Sequence, residues 1–318
     1  MNTQAETNNH STILWHPGDR PIRGWSNLWR QGLICLLAFA LMVPGLLVAD
    51  TEVHETRSLS ADGSVLIENE FGEITIRGWD RDEVEISGYL SDDVRELEIR
   101  ESGNGLRIRV DYYERRSING AELEVMVPRG ASVEAESVSG DIVASDLSGA
   151  MLELRTVSGD LYADASVERL SLNTVSGDVE FSGSASRVDI ETVSGSADLK
   201  GVSGELDVTT VSGDVTVDGG VLSVGEFEAV SGDVELDVSL EAGGRIDVSS
   251  MSGDIELYLP SSQEAEFYIQ TFSGDISSDV GRVSKEKHGP GRRLEHREGN
   301  NGAIINLNSF SGDVSIDM

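Results

Sequence analysis

The chain has 318 residues, and its 57 acidic residues against 24 lysines and arginines give a formal net charge of −33. Such a surface repels nucleic acid and anionic lipid, and it suits solubility, cation binding or basic partners. The composition therefore excludes nucleic-acid binding, and it leaves the membrane as a partner only through an uncleaved N-terminal segment.

Residues 1–49 have the pattern of a secretory signal with a long n-region. Three arginines precede an uncharged, mostly apolar run at 33–49, which ends at the small residue Ala49. This order predicts export and cleavage near Ala49, although the run is also just long enough for an uncleaved signal-anchor. The only cysteine, Cys35, lies inside the run, so the mature chain has no disulfide and no thiolate metal site.

Residues 50–130 are predicted to form an N-terminal cap and early β coils. The segment 64–79 alternates apolar and polar residues on both sides of Phe71-Gly72-Glu73. That pattern predicts two short strands joined at a glycine corner. It is an irregular version of the repeat that follows, as expected for a terminal unit that caps a stack.

Residues 131–280 contain regular repeats built around a Ser-Gly-Asp corner. The sequence of an apolar residue, Ser-Gly and Asp occurs eight times, and a ninth copy in the same period has Ser196 in place of Asp; the copies follow at 18–21 residue intervals until a last interval of 38. The corner glycines are Gly140, Gly159, Gly177, Gly195, Gly213, Gly232, Gly253, Gly274 and Gly312. A fixed period near 20 residues is the signature of a solenoid, in which each repeat packs only on its neighbours.

The apolar residues also predict the path of each coil. Leu170 and Leu172 alternate with polar residues before one corner, whereas Val179 and Phe181 alternate after it, shifted by one position. A one-residue slip would turn every side chain over, so the chain must bend at the corner. We predict an all-β fold: one elongated parallel β-helix, or β-solenoid, with coils of about 18–21 residues.

Eight of the nine corners carry aspartate after the glycine. They are Asp141, Asp160, Asp178, Asp214, Asp233, Asp254, Asp275 and Asp313, and Ser196 replaces aspartate in the other corner. This column is a candidate file of cation ligands, because calcium prefers carboxylate oxygens. The preferred interpretation is that each aspartate satisfies its own turn and faces solvent. No cofactor is otherwise predicted.

The apolar residue before each corner has two interpretations. Strict alternation from Leu170 and Leu172 places Thr174 inside and Val175 outside, which would expose an apolar stripe for a partner. If the chain bends one residue earlier, these residues belong to the core. The core interpretation is the preferred one.

Residues 281–302 are predicted to form a charged, glycine-rich protruding loop, and residues 303–318 the final coil. The loop contains His288 and His296, which are either metal ligands or ordinary solvated side chains. The solvated interpretation is preferred.

Several of these features resemble the bacterial "putative adhesin" family, a domain of unknown function with Ser-Gly-Asp β-strand repeats. The resemblance spans 64–318 and includes Ile74–Trp79, Leu123–Pro128, the nine corners and Asn308–Ile316. It implies an exported, envelope-associated β-solenoid and no catalytic residues.

We therefore predict a secreted or periplasmic, non-catalytic binding or structural module whose partner is an envelope protein or glycan. No serine or histidine of the mature chain lies in a nucleophile motif. The alternatives are a polysaccharide-cleaving β-helix enzyme and an envelope-sensing module coupled to a membrane partner.

Overall fold

The computed structural model describes residues 51–113, 120–285, 289–300 and 302–318, which form 22 strands of one continuous sheet. The strands are β1 (Thr51–Ser58), β2 (Ser64–Phe71), β3 (Ile74–Trp79), β4 (Glu83–Leu90), β5 (Val94–Ser102), β6 (Gly105–Tyr112), β7 (Ala121–Pro128), β8 (Ser132–Ser139), β9 (Ile142–Leu147), β10 (Met151–Ser158), β11 (Leu161–Ser176), β12 (Val179–Ser194), β13 (Ala197–Ser212), β14 (Val215–Ser231), β15 (Val234–Ser252), β16 (Ile255–Tyr258), β17 (Ala265–Ser273), β18 (Ile276–Ser278), β19 (Ser284–Lys285), β20 (Arg292–Glu298), β21 (Ala303–Ser311) and β22 (Val314–Asp317). The described residues include no helix long and apolar enough to cross a bilayer. The predicted signal at 1–49 lies outside them.

Strands β8–β15 stack in parallel, one coil above the next, so the predicted β-solenoid is confirmed. Equivalent residues pair in register: Leu152 of β10 lies opposite Leu170 of β11, which lies opposite Val188 of β12. Each of the strands β11–β15 runs without interruption from one corner to the next. Every coil thus places its inward-facing side chains directly over those of its neighbour.

The core is a set of apolar columns along the inside of the stack. Leu152, Leu170 and Val188 are fully buried in one column, and Phe181 is fully buried after its corner. Each side chain packs against the equivalent residue of the coils above and below. The core is therefore as narrow as the inside of a single coil but continuous along the stack. Packing and ladder hydrogen bonds hold it together.

The coils at the N-terminal end do not stack in chain order. Strand β2 pairs with both β6 and β8, and β3 pairs with both β7 and β9. The coil formed by 64–79 therefore lies between the coil of 105–128 and the coil of 132–147. Its corner at Phe71-Gly72 takes the place of a Ser-Gly corner, because Phe71 pairs with Ser139.

The C-terminal end repeats this interleaving. Strand β21 pairs in parallel with β15 and β17, and β22 pairs with β16 and β18. Residues 303–318, predicted as the final coil, are last in the chain but lie inside the stack. They form a coil between the one of β15 and β16 and the one of β17 and β18.

Antiparallel strands cover both ends of the stack. At one end β5 pairs with β6, and β1 and β4 continue from β7. At the other end β20 pairs with β17. Segment 281–302 is predicted to be a protruding loop, but part of it is strand β20, which pairs with β17. Leu294 is fully buried, and the strand around it occupies the open edge of β17.

Candidate functional site

The Ser-Gly-Asp corners stack into a ladder along one edge of the solenoid. Ser158, Ser176 and Ser194 pair with one another through the parallel register. A Cβ atom on Gly177 would lie 1.9 Å from the carbonyl oxygen of Gly159, and the other corner glycines meet the preceding corner at 1.9–2.2 Å. The Gly177 backbone lies outside the left-handed region. Glycine is therefore needed at this corner because two coils approach closely.

The aspartates of the corners bridge consecutive coils. The backbone N–H of Asp178 donates to Oδ1 of Asp160 at 2.8 Å, and Oδ1 of Asp178 in turn accepts from the N–H of Ser196 at 2.8 Å. The same bond joins Asp141 to Asp160, Asp214 to Asp233, Asp233 to Asp254, Asp254 to Asp313, and Asp313 to Asp275. Seven of the eight side chains therefore accept a backbone N–H of the neighbouring coil and not of their own turn, and the eighth, Asp275, pairs with Arg292.

The column of aspartates places a carboxylate at eight of the nine corners, and all of them are exposed except the half-buried Asp160. Asp275 pairs with Arg292, and the other seven have no ion pair within the described part of the chain. Among the described residues, no group of three or more histidine, aspartate or glutamate side chains is arranged to hold a metal ion. The arrangement presents a line of negative charge rather than a coordination cage.

The nine residues that precede the corners are exposed, with 44–60% of their surface accessible. In stacking order they are Val138, Val157, Val175, Val193, Val211, Val230, Met251, Phe310 and Phe272. We call this set the apolar stripe. The preferred core interpretation is wrong, and the alternative of an exposed stripe is correct, because alternation continues up to the serine.

Polar residues lie inside, one position before eight of the nine stripe residues; Ala229 is the exception. Thr156, Thr174, Thr192 and Thr210 are almost completely buried. The Thr156 and Thr174 hydroxyls each donate to the carbonyl of a corner glycine at 3.3 Å. Five further hydroxyls in this column are buried with no partner among the described residues: Ser137, Thr192, Thr210, Ser250 and Ser309. In nearly every coil, a polar residue is thus buried and the apolar residue after it is exposed, which reverses the usual preference of polar and apolar side chains.

Two shallow grooves follow the apolar stripe. One of about 570 Å³ extends from Val138 to Val211, and another of about 680 Å³ extends from Val211 to Phe310. At the far end the Phe272 and Phe310 rings stack with centroids 5.0 Å apart. The stripe is therefore a continuous surface along the stack and not a set of isolated side chains.

Negative charge flanks the stripe on both sides. The column of aspartates lies beyond the corner on one side. On the other side is a column that includes Glu136, Glu191 and Glu228, where Arg155 bonds Glu134 and Glu136. Desolvation, and then the charge of Asp160, raises the pKa of Tyr162 beside the column of aspartates.

The two histidines of segment 281–302 do not form a site in the described residues. The Nε2 atom of His296 lies 3.1 Å from Oε2 of Glu298, and its ring stacks on Phe267. His288 lies outside the described residues, so its predicted role stays a prediction.

A comparison with protein families finds a match to the model described as Toastrack DUF4097, over residues 64–250 and 241–317. A "putative adhesin" from Parabacteroides merdae ATCC 43184 is 11% identical and has a TM-score of 0.50, with 84% of this chain and 97% of that chain covered. A "putative adhesin" from Bacteroides fragilis NCTC 9343 is 12% identical, with the same coverage and a TM-score of 0.42. The likeness to the Parabacteroides merdae protein shows the fold alone. No curated protein matches the chain.

Proposed function

Since the chain belongs to the Toastrack DUF4097 family, we propose that it is an exported, non-catalytic, adhesin-like binding module of the bacterial cell envelope. Export is supported by the arginines and the apolar run of residues 1–49. The stacked coils present the same side-chain types again and again, which suits recognition along a line better than catalysis at one point.

The apolar stripe is the observation that carries this proposal. Leaving a valine half exposed forgoes roughly 1 kcal/mol of burial, and a buried unpaired hydroxyl costs about 1–3 kcal/mol. Val193 is exposed while the neighbouring Thr192 hydroxyl is buried and has no partner in the described residues. Such conflicts with local stability are expected at functional sites. A continuous exposed apolar surface is a typical docking site.

A photocrosslinking experiment tests the binding role. Benzoylphenylalanine is placed at Val193 in the stripe or, as a control, at Val224, which is 40% exposed outside the stripe. In the native envelope we expect adducts from position 193 and none from position 224. Equal labelling from both positions, or none from 193, would contradict a stripe-mediated binding function.

Export is tested separately by cell fractionation. The full chain should be recovered outside the cytoplasm, and a chain without residues 1–49 should stay inside. Recovery of both forms in the cytoplasm would overturn the envelope assignment without affecting the binding test.

A further inference from the structure

We propose that the apolar stripe and its flanking carboxylates bind a basic amphipathic helix of a partner protein. This inference rests on the proposed binding function and specifies the chemistry of the partner.

The charges determine the sign of the partner. Seven aspartates of the corner column have no ion pair in the described residues, and Glu191 and Glu228 on the opposite flank also have none. Within the nine coils that carry the stripe, Arg155 is the only basic residue at these two flanking positions, and it is already bonded to Glu134 and Glu136. Arg109 continues the glutamate-side column beyond Glu68. A ligand on the stripe therefore meets a line of aspartates on one side and, on the other, Glu191 and Glu228, which are unpaired among the described residues, and salt screens these charges with a Debye length of about 8 Å at physiological ionic strength.

The same charges disfavour the other occupants. A second copy would bring its own carboxylates against these, with a net charge of −33 on each chain. An anionic lipid surface would be repelled in the same way. A basic partner gains Coulomb energy from both flanks, and its apolar side chains gain burial from the stripe.

The spacing of the stripe determines the conformation of the partner. Neighbouring coils lie about 4.7–4.9 Å apart, so nine stripe residues extend about 38 Å. An extended chain along the stack would present same-face side chains every ~6.8 Å. A helix with an apolar seam every 3.5 residues presents one side chain per ~5.2 Å, a closer match. About 25 helical residues would cover the stripe.

The test uses synthetic helices and the protein as recovered from cells that express the full chain. The probe is a 25-residue peptide with leucine at heptad positions a and d and lysine at e and g. One control peptide has glutamate in place of each lysine, and another has the same composition in scrambled order. Binding is followed by fluorescence anisotropy of the labelled peptide.

We expect the lysine helix to bind and the two controls to fail. Binding should weaken at least about tenfold between ~50 and ~500 mM salt. The triple variant Val175→Ser, Val193→Ser, Val211→Ser should weaken it about 100-fold, at about fivefold for each half-exposed valine. The control variant Val221→Ser, Val224→Ser alters exposed valines outside the stripe and should bind normally.

A second variant tests charge without altering the fold. In Asp160→Asn, Asp178→Asn the Oδ1 acceptors for the next coil remain, and only the charges are lost. It should weaken binding at low salt and have no effect at high salt. Equal binding of the glutamate helix, no effect of the valine variant, or a dimer that the valine variant dissolves would each overturn the inference. Stripe crosslinks in the envelope without lysine-helix binding would overturn it while leaving the proposed function standing.

Discussion

At the scale of single residues, the corner is specified by close backbone approach and by one hydrogen bond per coil. Gly177 has no room for a Cβ atom beneath the Gly159 carbonyl oxygen. The side chains of Asp160 and Asp178 each accept a hydrogen bond from a backbone N–H of the next coil. Both requirements arise from the neighbouring coil, so each corner residue is selected by contacts 18 residues away in the chain.

Replacing a corner glycine should therefore cost more than replacing a glycine that needs only its left-handed conformation. We expect Gly177→Ala to lower the free energy of unfolding by about 3 kcal/mol or more, because backbone cannot move away cheaply. The matched control is Gly219→Ala, where φ is +75° and no atom lies within 4 Å of the new Cβ. It should cost about 1 kcal/mol. Urea denaturation of both variants checks the order, and equal losses would contradict it.

At the scale of elements, an outward-facing column can place like charges at the spacing of the coils. Asp207 stacks between Asp189 and Glu226. Partial burial, and then the charge of Asp189, raises the pKa of Asp207 above that of an ordinary aspartate. Because the folded state holds the proton more tightly, the favourable contribution is present at low pH and is lost as pH rises through the raised pKa.

Asp207→Asn should consequently stabilise the protein at neutral pH. The side chain is only partly buried, so solvent screens the repulsion and we expect a gain below about 1 kcal/mol at pH 7, where the native carboxylate is charged. The gain should vanish near about pH 3, where the native side chain is protonated. Denaturation of both proteins at the two pH values measures it, and the same gain at both would show that charge is not the cause.

The antiparallel cap is the second element that tests the fold. Leu294 of β20 is buried opposite Ile269, while the Arg293 side chain is about half exposed. Leu294→Ala should cost about 2–4 kcal/mol and promote aggregation through the uncovered edge of β17. Arg293→Ala is the control and should change the melting temperature little. Comparable losses in the two variants would mean that β20 does not cap the stack.

At the scale of the whole molecule, the interleaved coils make the C-terminus an internal part of the solenoid. Residues 303–318 contact β15 and β16 on one side and β17 and β18 on the other. By contrast, β1 is outermost at its end of the stack and mostly exposed. Residues 303–318 can form all their strand pairs only when both neighbouring coils are in place.

Truncations at the two ends should therefore differ. A chain that lacks 303–318 should expose 265–298 to limited proteolysis, because β17 and β20 lose the coil that joins them to β15. A chain that lacks 51–58 should keep its protease-resistant body, since only β4 loses a partner. Mass spectrometry of the fragments distinguishes the two, and protection of 265–298 in the first truncation would contradict the order.

The sequence by itself determined the repeat, the position of the corners and the family, because these follow from a local pattern written nine times. Leu170 and Leu172 predicted their own burial, since alternation along a strand needs no knowledge of the partner strand. Where the chain bends relative to Val175 was decided only by the tertiary structure, because a bend on either side of that residue fits the same letters. The interleaved order of the end coils and the β20 cap were also decided there. Both features depend on which of several similar strand edges pair with each other, and the local sequence does not distinguish between edges of equal shape.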